Sequence, residues 1–230
     1  MLNAADYYKD RDYITTSMAL SFRRSRALYA RRFIENAERE LTASMKIGSY
    51  VDDVVTGGVT EVSLTPSQKR TADGFIAAYR LLPIFPELEA AKKQVILTGK
   101  FKNILFKGKP DFCLPTATVD LKISSTAKVD RWYWNCLGRG LDLQAGVYTE
   151  LRRQAGEKVL PFYHLVGWEE EGICRFRLFR LPASMVKNGL KKFKRIAQDI
   201  RACDDFTDPP VTFETAEKLL RPGFVDVEND

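Results

Sequence analysis

The sequence predicts an α/β domain. Three observations carry that prediction: helical spacing of apolar residues in the first third, a change to strand-like alternation from Gln94, and a long helical stretch between two strand pairs. In the first third Met18, Leu20, Phe22, Leu28, Tyr29 and Phe33 recur at near-helical intervals, so residues 14–46 read as helix. Gly57-Gly58 and Leu64-Thr65-Pro66-Ser67 then punctuate the chain. Thr65 or Ser67 can cap a helix running to about Leu82, which Pro83 and Pro86 end. Residues 94–98 and 104–109 read as strands around a turn at 99–103, and residues 109–114 and 117–124 as a second strand pair. A helix over 135–155 follows, stopped by Gly156. Residues 159–168 and 173–181 are strands joined by the acidic turn Glu169-Glu170-Glu171-Gly172, and 183–203 is a last helix. With no internal repeat, the expectation is a single domain over 1–230. It has a mainly helical cap (1–92), a core around one sheet (93–203), and a Pro- and acid-rich tail from 204.

Composition sets the outer limits. At 230 residues, 45% hydrophobic and 29% charged, the chain has the balance of a globular protein long enough for a sizeable core. No apolar run approaches a membrane span. Met1 to Asp12 lacks the basic-then-apolar order of a signal peptide, so the expected location is cytoplasmic and no membrane partner is expected. Cys113, Cys136, Cys174 and Cys203 are widely spaced without a CxxC, which argues against a zinc knuckle and gives no reason for disulfides. His164 is the only histidine, which excludes mechanisms needing two. The net charge of +6 suits an anionic partner such as nucleic acid.

The informative stretch is Gly108-Lys109-Pro110-Asp111-Phe112 followed by Val119-Asp120-Leu121-Lys122. With Pro115-Thr116 as a tight turn, Phe112 meets Val119, Asp111 falls opposite Asp120, and Lys109 opposite Lys122. Alternation then gives one apolar face, Phe112, Leu114, Ala117, Val119, Leu121 and Ile123, and one polar face carrying both acids and Lys122. Opposed side chains on antiparallel strands have Cβ atoms about 4.5–5.5 Å apart, where two carboxylates repel. A bound Mg²⁺ removes that conflict. It would also activate water and polarise a phosphoryl oxygen, with Lys122 beside it to orient the nucleophile or stabilise growing charge. The chemistry expected is phosphodiester hydrolysis; the alternative is an ordinary solvated hairpin face.

These residues resemble the G-x-x-D and D-x-K motifs of the PD-(D/E)XK nucleases, and Gln144-Ala145-Gly146-Val147-Tyr148 resembles the Q-x-x-x-Y motif of their RecB-like branch. The likeness is nearest to phage and prophage RecE-type (exonuclease VIII-like) exonucleases. It is clear from about Lys107 to Tyr148 and includes the segment Ile123-Ser124-Ser125-Thr126. The resemblance implies a restriction-endonuclease-like mixed sheet flanked by helices, with an N-terminal helical cap. It implies Mg²⁺, replaceable by Mn²⁺, on Asp111, Asp120 and the backbone carbonyl of Leu121. It gives Lys122, Gln144 and Tyr148 catalytic or supporting roles. The physical reading of the helix agrees: Leu137, Leu141, Gln144, Tyr148 and Leu151 share a stripe, and a buried amide such as Gln144 needs partners. One departure stands out. Where the branch carries a metal-binding histidine in a G-x-x-x-H segment, this chain has Gly48-Ser49-Tyr50-Val51-Asp52. Asp52, or its neighbour Asp53, is the candidate replacement, a harder ligand suited to Mg²⁺; both could equally be surface acids.

For DNA contact the candidates are Ser124, Lys128, Arg131 and Trp132, which follow the catalytic strand, and Arg23 and Arg24 with the nearby arginines. The lysines from 187 to 194 are a further run, and charge runs on helices are often solvated faces. An aromatic in Trp132-Tyr133-Trp134 could stack on an unpaired base or pack on the next helix. The function expected is a Mg²⁺-dependent DNA exonuclease acting on linear ends in phage-type recombination or end processing, in a bacterium or phage-infected host. The resemblance leaves open a homo-oligomer and a single-strand-annealing partner. The rivals are a structure-specific endonuclease and a catalytically silent DNA-binding module on a nuclease fold.

Overall fold

The computed structural model describes residues 7, 10–38, 40–124 and 129–208. A two-residue strand, β1 (Tyr13–Ile14), precedes three helices, α1 (Thr16–Arg24), α2 (Arg26–Phe33) and α3 (Ala43–Thr56), in place of the one expected over 14–46. Ser25 makes the first break. Its extended backbone N–H donates to the Ser21 carbonyl at 3.0 Å, closing α1, and its hydroxyl accepts from Leu28 N at 2.9 Å, opening α2. A serine side chain can satisfy the free N–H groups that begin a helix, so one residue ends a helix and starts the next.

Helix α4 (Pro66–Arg80) opens as expected, with Thr65 and Gln68 exchanging side-chain and backbone hydrogen bonds in a capping box. Pro86 does not end a helix. It lies in the first turn of a short α5 (Phe85–Ala90), where its missing N–H costs nothing.

The strands are β2 (Lys92–Lys93), β3 (Leu97–Phe101), β4 (Ile104–Gly108), β5 (Phe112–Cys113), β6 (Thr118–Ile123), β7 (Phe162–Glu170) and β8 (Ile173–Arg180). They form two mixed sheets rather than the single one expected, ordered β1-β4-β3 and β2-β5-β6-β7-β8. Having crossed from the first sheet at β1 to the second at β2, the chain changes sheet twice more, between β2 and β3 and between β4 and β5; these later two crossings shape the site. The crossing from β2 to β3 displaces the strand expected at 94–98, because Gln94 takes a left-handed φ of 52°. The crossing from β4 to β5 shortens the strand expected at 109–114, because Pro110 has no N–H to offer a ladder and Asp111 stands in a bend.

Helices α6 (Val129–Arg139) and α7 (Leu141–Gln154) replace the single helix expected over 135–155, and together they cross from β6 to the parallel β7. Gly140 divides them at φ 70°, and a Cβ there would fall 2.1 Å from Leu20 Cδ2, so both backbone and packing require glycine. The last helix, α8 (Ala183–Arg201), lies so close to α7 that a Cβ on Gly146 would reach within 2.4 Å of Leu190 N.

Apolar packing covers both faces of the five-stranded sheet. Val51 and Val55 of α3 and Phe75, Ile76 and Tyr79 of α4 join Phe112, Val119, Leu121 and Leu165 in one cluster. Leu143, Val147 and Leu151 of α7 and Phe193 and Ala197 of α8 join Phe162, Val166 and Phe179 in the other. Strand β6 is therefore sealed on both sides, and polar residues there need partners. Among the described residues no helix is long and apolar enough to cross a membrane.

Candidate active site

The hairpin closes in the expected register. Phe112 pairs with Val119 and Cys113 with Thr118, and Leu114 N donates to the Ala117 carbonyl at 3.0 Å, leaving Pro115 and Thr116 as the turn. Asp111 stands one residue before β5, so its backbone lies outside the β5–β6 ladder and its side chain makes the link to β6 instead. Its Oδ2 accepts from Leu121 N at 2.7 Å, which fixes the carboxylate beside Asp120 and Lys122.

Asp120 is fully buried at the centre of β6. One of its oxygens pairs with the Lys122 ammonium, and apart from that lysine neither oxygen has a hydrogen-bond partner. Asp52 comes to the same place from α3, where Lys122 and Asp120 both act on it. Asp53, the other candidate, instead meets the charges of Lys109 and Glu61. The upstream acid gathered with the hairpin is therefore Asp52.

The electrostatics register the crowding. Burial, then Asp120 and Asp52, push the Asp111 carboxyl well above the usual carboxylate range. Burial pushes Asp52 up to about 6, with Lys122 opposing and Asp120 adding. Burial alone would lower the Lys122 pKa, but Asp120, Asp111 and Asp52 together raise it. Three acids share one partly buried lysine, an imbalance that disfavours full ionisation unless a cation joins them.

Gln144 and Tyr148, one turn apart on α7, meet through a 3.0 Å hydrogen bond from the Gln144 amide to the Tyr148 hydroxyl. Tyr148 is buried, and burial with the nearby Asp120 and Asp111 raises its pKa far above that of free tyrosine. The glycine of the G-x-x-D segment has a packing role here, since a Cβ on Gly108 would lie 2.5 Å from the Tyr148 ring.

Several residues of the site were not anticipated. Gln94 donates from Nε2 to Asp52 Oδ2 at 3.3 Å and to Asp111 Oδ1 at 3.4 Å. Arg152, one turn beyond Tyr148 and buried, donates to the carbonyls of Ala117 and Leu114 at 2.7 Å each and to Thr118 Oγ1 at 2.9 Å, holding the hairpin's end. Its spacing of four and eight residues from Tyr148 and Gln144 was a readable signal of a shared helix face. Lys107 is 1% exposed. Its ammonium donates to the Asp10 carbonyl at 2.7 Å and sits over the Tyr7 and Tyr13 rings. With Arg11, Lys109, Gln144 and Tyr148 it lines a cavity of about 210 Å³ that reaches the start of α1.

The expected DNA contacts fare unevenly. Trp132 is 0% exposed, stacked on Phe179 and edge-on to His164, so it is a core residue and cannot take a base; the exposed aromatic is Trp134, at 73%. Arg131 is exposed on α6, and Ser124 follows β6, its N–H donating to the Gly167 carbonyl at 2.8 Å. Lys128 lies outside the described residues. Arg23 and Arg24 are exposed on the last turn of α1, roughly 10 Å along the helix from the end that meets the cavity. In the lysine run, Lys192 pairs with the buried Asp142 at 3.0 Å and Lys194 covers Phe101, leaving Lys187 and Lys191 exposed.

The donor set fits a hard divalent cation in kind: carboxylate oxygens of Asp111, Asp120 and Asp52, several without a hydrogen-bond partner, and the Leu121 backbone between them. Among the described residues no group of three or more His, Cys, Asp or Glu is gathered tightly enough to hold a metal alone. A cation here would rely on water, backbone or substrate oxygens for the rest of its shell, as Mg²⁺ commonly does.

Comparisons with known proteins bear on the family and the fold. The sequence model of a family described as a PDDEXK-like domain of unknown function (DUF3799) matches residues 60–221. The crystal structure of a protein from Eubacterium rectale, described as a candidate exonuclease, superposes at a TM-score of 0.70 with 20% identity, covering 96% of this chain and 99% of that one. A second structure, of SSO0001, aligns at a TM-score of 0.41 with 13% identity, over 85% of this chain and 79% of that one, too distant to bear on the fold. No curated protein matches the sequence.

Proposed function

This chain belongs to that PDDEXK-like family, and from this premise we propose that it is a divalent-cation-dependent DNA nuclease formed by the whole chain as one catalytic domain. The observation that carries the reading is the convergence of Asp111, Asp120 and Asp52 on one partly buried lysine, Lys122, with Gln144 and Tyr148 alongside. Asp111, Asp120, Asp52 and the Leu121 carbonyl would hold Mg²⁺, or Mn²⁺ in its place. When bound, such a cation supplies Lewis acidity at a phosphoryl oxygen and makes water more acidic.

The protein's own groups do the remainder. The Lys122 ammonium, held by Asp120, is placed to orient the attacking water or to stabilise charge growing on the scissile phosphate. The Gln144–Tyr148 hydrogen bond places a polar pair against the acids, and sealed packing around β6 keeps bulk water from screening the site. The cavity bearing Arg11, Lys107 and Lys109 next to Gln144 and Tyr148 suits the phosphates of a strand entering from that side. The RecE-type likeness at the motifs favours exonucleolytic action on linear ends, in phage-type recombination or end processing beside a single-strand-annealing partner.

The test is incubation of the purified protein with linear and closed circular DNA in Mg²⁺, Mn²⁺ or chelator. Degradation of linear DNA alone, abolished by chelator, is the expected result. Nicking of circles would make the protein an endonuclease. DNA binding without cleavage under either metal would sink the catalytic reading.

A further inference from the structure

Gln94 stands where the chain changes sheet between β2 and β3, and Asp111 where it changes sheet between β4 and β5. The crossings are tied together, for Gln94 N donates to the Asp111 carbonyl at 3.1 Å. Its φ of 52° is uncommon for a residue other than glycine, so the backbone holds an unfavoured conformation where this side chain is delivered. The Nε2 group reaches both Asp52 and Asp111. The other end of the same amide, Oε1, is buried with no hydrogen-bond partner, as are Asp52 Oδ1 and Asp120 Oδ1. Leaving a buried acceptor unpaired is costly, and three such oxygens belong to residues of one site.

We propose that Gln94 is itself a member of the cation site. Its amide oxygen serves as a neutral ligand to the divalent cation, and its N–H groups clasp Asp52 and Asp111 when no cation is bound. The inference rests on the reading that this site takes a cation. Hard cations accept side-chain amide oxygens alongside carboxylates. A neutral ligand adds an oxygen without adding to the repulsion among three acids, which a fourth carboxylate would worsen. Oxygen and nitrogen ends of an amide are nearly the same size, and the terminal torsion is broad and two-fold, so the group can exchange ends with little steric cost.

The test is Mn²⁺ binding to the full chain without DNA, by titration calorimetry and by the rise in Tm with added Mn²⁺. Gln94→Leu is expected to bind Mn²⁺ about 10-fold more weakly than the natural protein. Gln94→Glu, which keeps an oxygen but loses the donor, is expected to bind at least as tightly while melting lower without cation. A Gln94→Leu protein that binds Mn²⁺ as well as or better than the natural chain overturns the proposal, because removing a mere clasp would free the acids for the cation. Should Gln94→Leu fail to fold, Gln94→Glu decides, and weakened Mn²⁺ binding by that variant overturns it. If the natural protein takes no Mn²⁺, the cation reading of the whole site falls with it, an outcome distinct from equal binding by both proteins.

Discussion

Two hairpins share the five-stranded sheet. In β7–β8 eight residue pairs run from Tyr163 with Arg180 to Glu170 with Ile173. The loop is only Glu171 and Gly172, both left-handed at φ 53° and 76°, the turn whose twist matches its strands. Its charges, Glu169, Glu170, Arg175 and Arg177, are mostly in solvent. The β5–β6 hairpin has two ladder pairs, no left-handed turn residue, and a charged face under cover. Arg152 grips its end and Asp111 reaches across it from outside the ladder. The first hairpin supports itself and can carry charge cheaply. The second is held by its surroundings, and that support lets it keep acids away from water.

The comparison can be broken by experiment. Asp120→Asn should cost the most, lowering DNA degradation on the order of 10³-fold, since several kcal/mol of cation-derived stabilisation depends on that carboxylate. Unchanged rates in Mg²⁺ would reduce β5–β6 to another solvated hairpin. Next, Arg152→Met strips three donors from the hairpin's end and leaves the Leu114 and Ala117 carbonyls without them. Urea unfolding should report a loss of about 3 kcal/mol, with Arg152→Lys recovering part; no loss would mean the hairpin stands alone.

His164 sharpens the contrast, because it lies on β7, paired in register with Asp120 on one side and Phe179 on the other. Burial, aided by Lys122 and Arg139, holds its pKa well below the ordinary 6.5. Below that pH the unfolded chain takes up a proton that the fold excludes. Its stabilising contribution is therefore whole above pH 6.5 and falls by about 1.4 kcal/mol per unit as pH drops further. Urea titrations from pH 7 to 5 should give a shallower slope for His164→Phe than for the natural protein, and equal slopes would contradict the burial argument. The smallest effect is expected at Arg175→Ala, which breaks an exposed 3.7 Å pair with Glu170. Thermal and urea unfolding should move by no more than about 0.5 kcal/mol; a larger change would show that β8 depends on its charges.

The hairpin register and its acids were legible because alternation has a period of two, and a Pro-Thr turn leaves one pairing that buries Phe112, Val119 and Leu121 together. Gln144 and Tyr148 were legible through i,i+4 spacing. Gln94 was not, since its role depends on a backbone angle and on partners 17 and 42 residues away in sequence. Trp132 and Trp134 were indistinguishable because the two-residue offset puts them on different sides of a helix whose buried face only tertiary packing selects. The helix breaks at Ser25 and Gly140 follow from capping and close approach, which override an apolar period that runs through them.

Strand β8 ends the five-stranded order, and along it Arg175 and Arg177 on one face and Arg180 on the other are each exposed. A sheet margin invites another chain to zip on, and a second copy presenting the same guanidinium charges would be pushed away before any bond formed. Charge along that border disfavours edge-to-edge pairing, while the acids sit two strands inward on β6, where the sheet is covered on both faces.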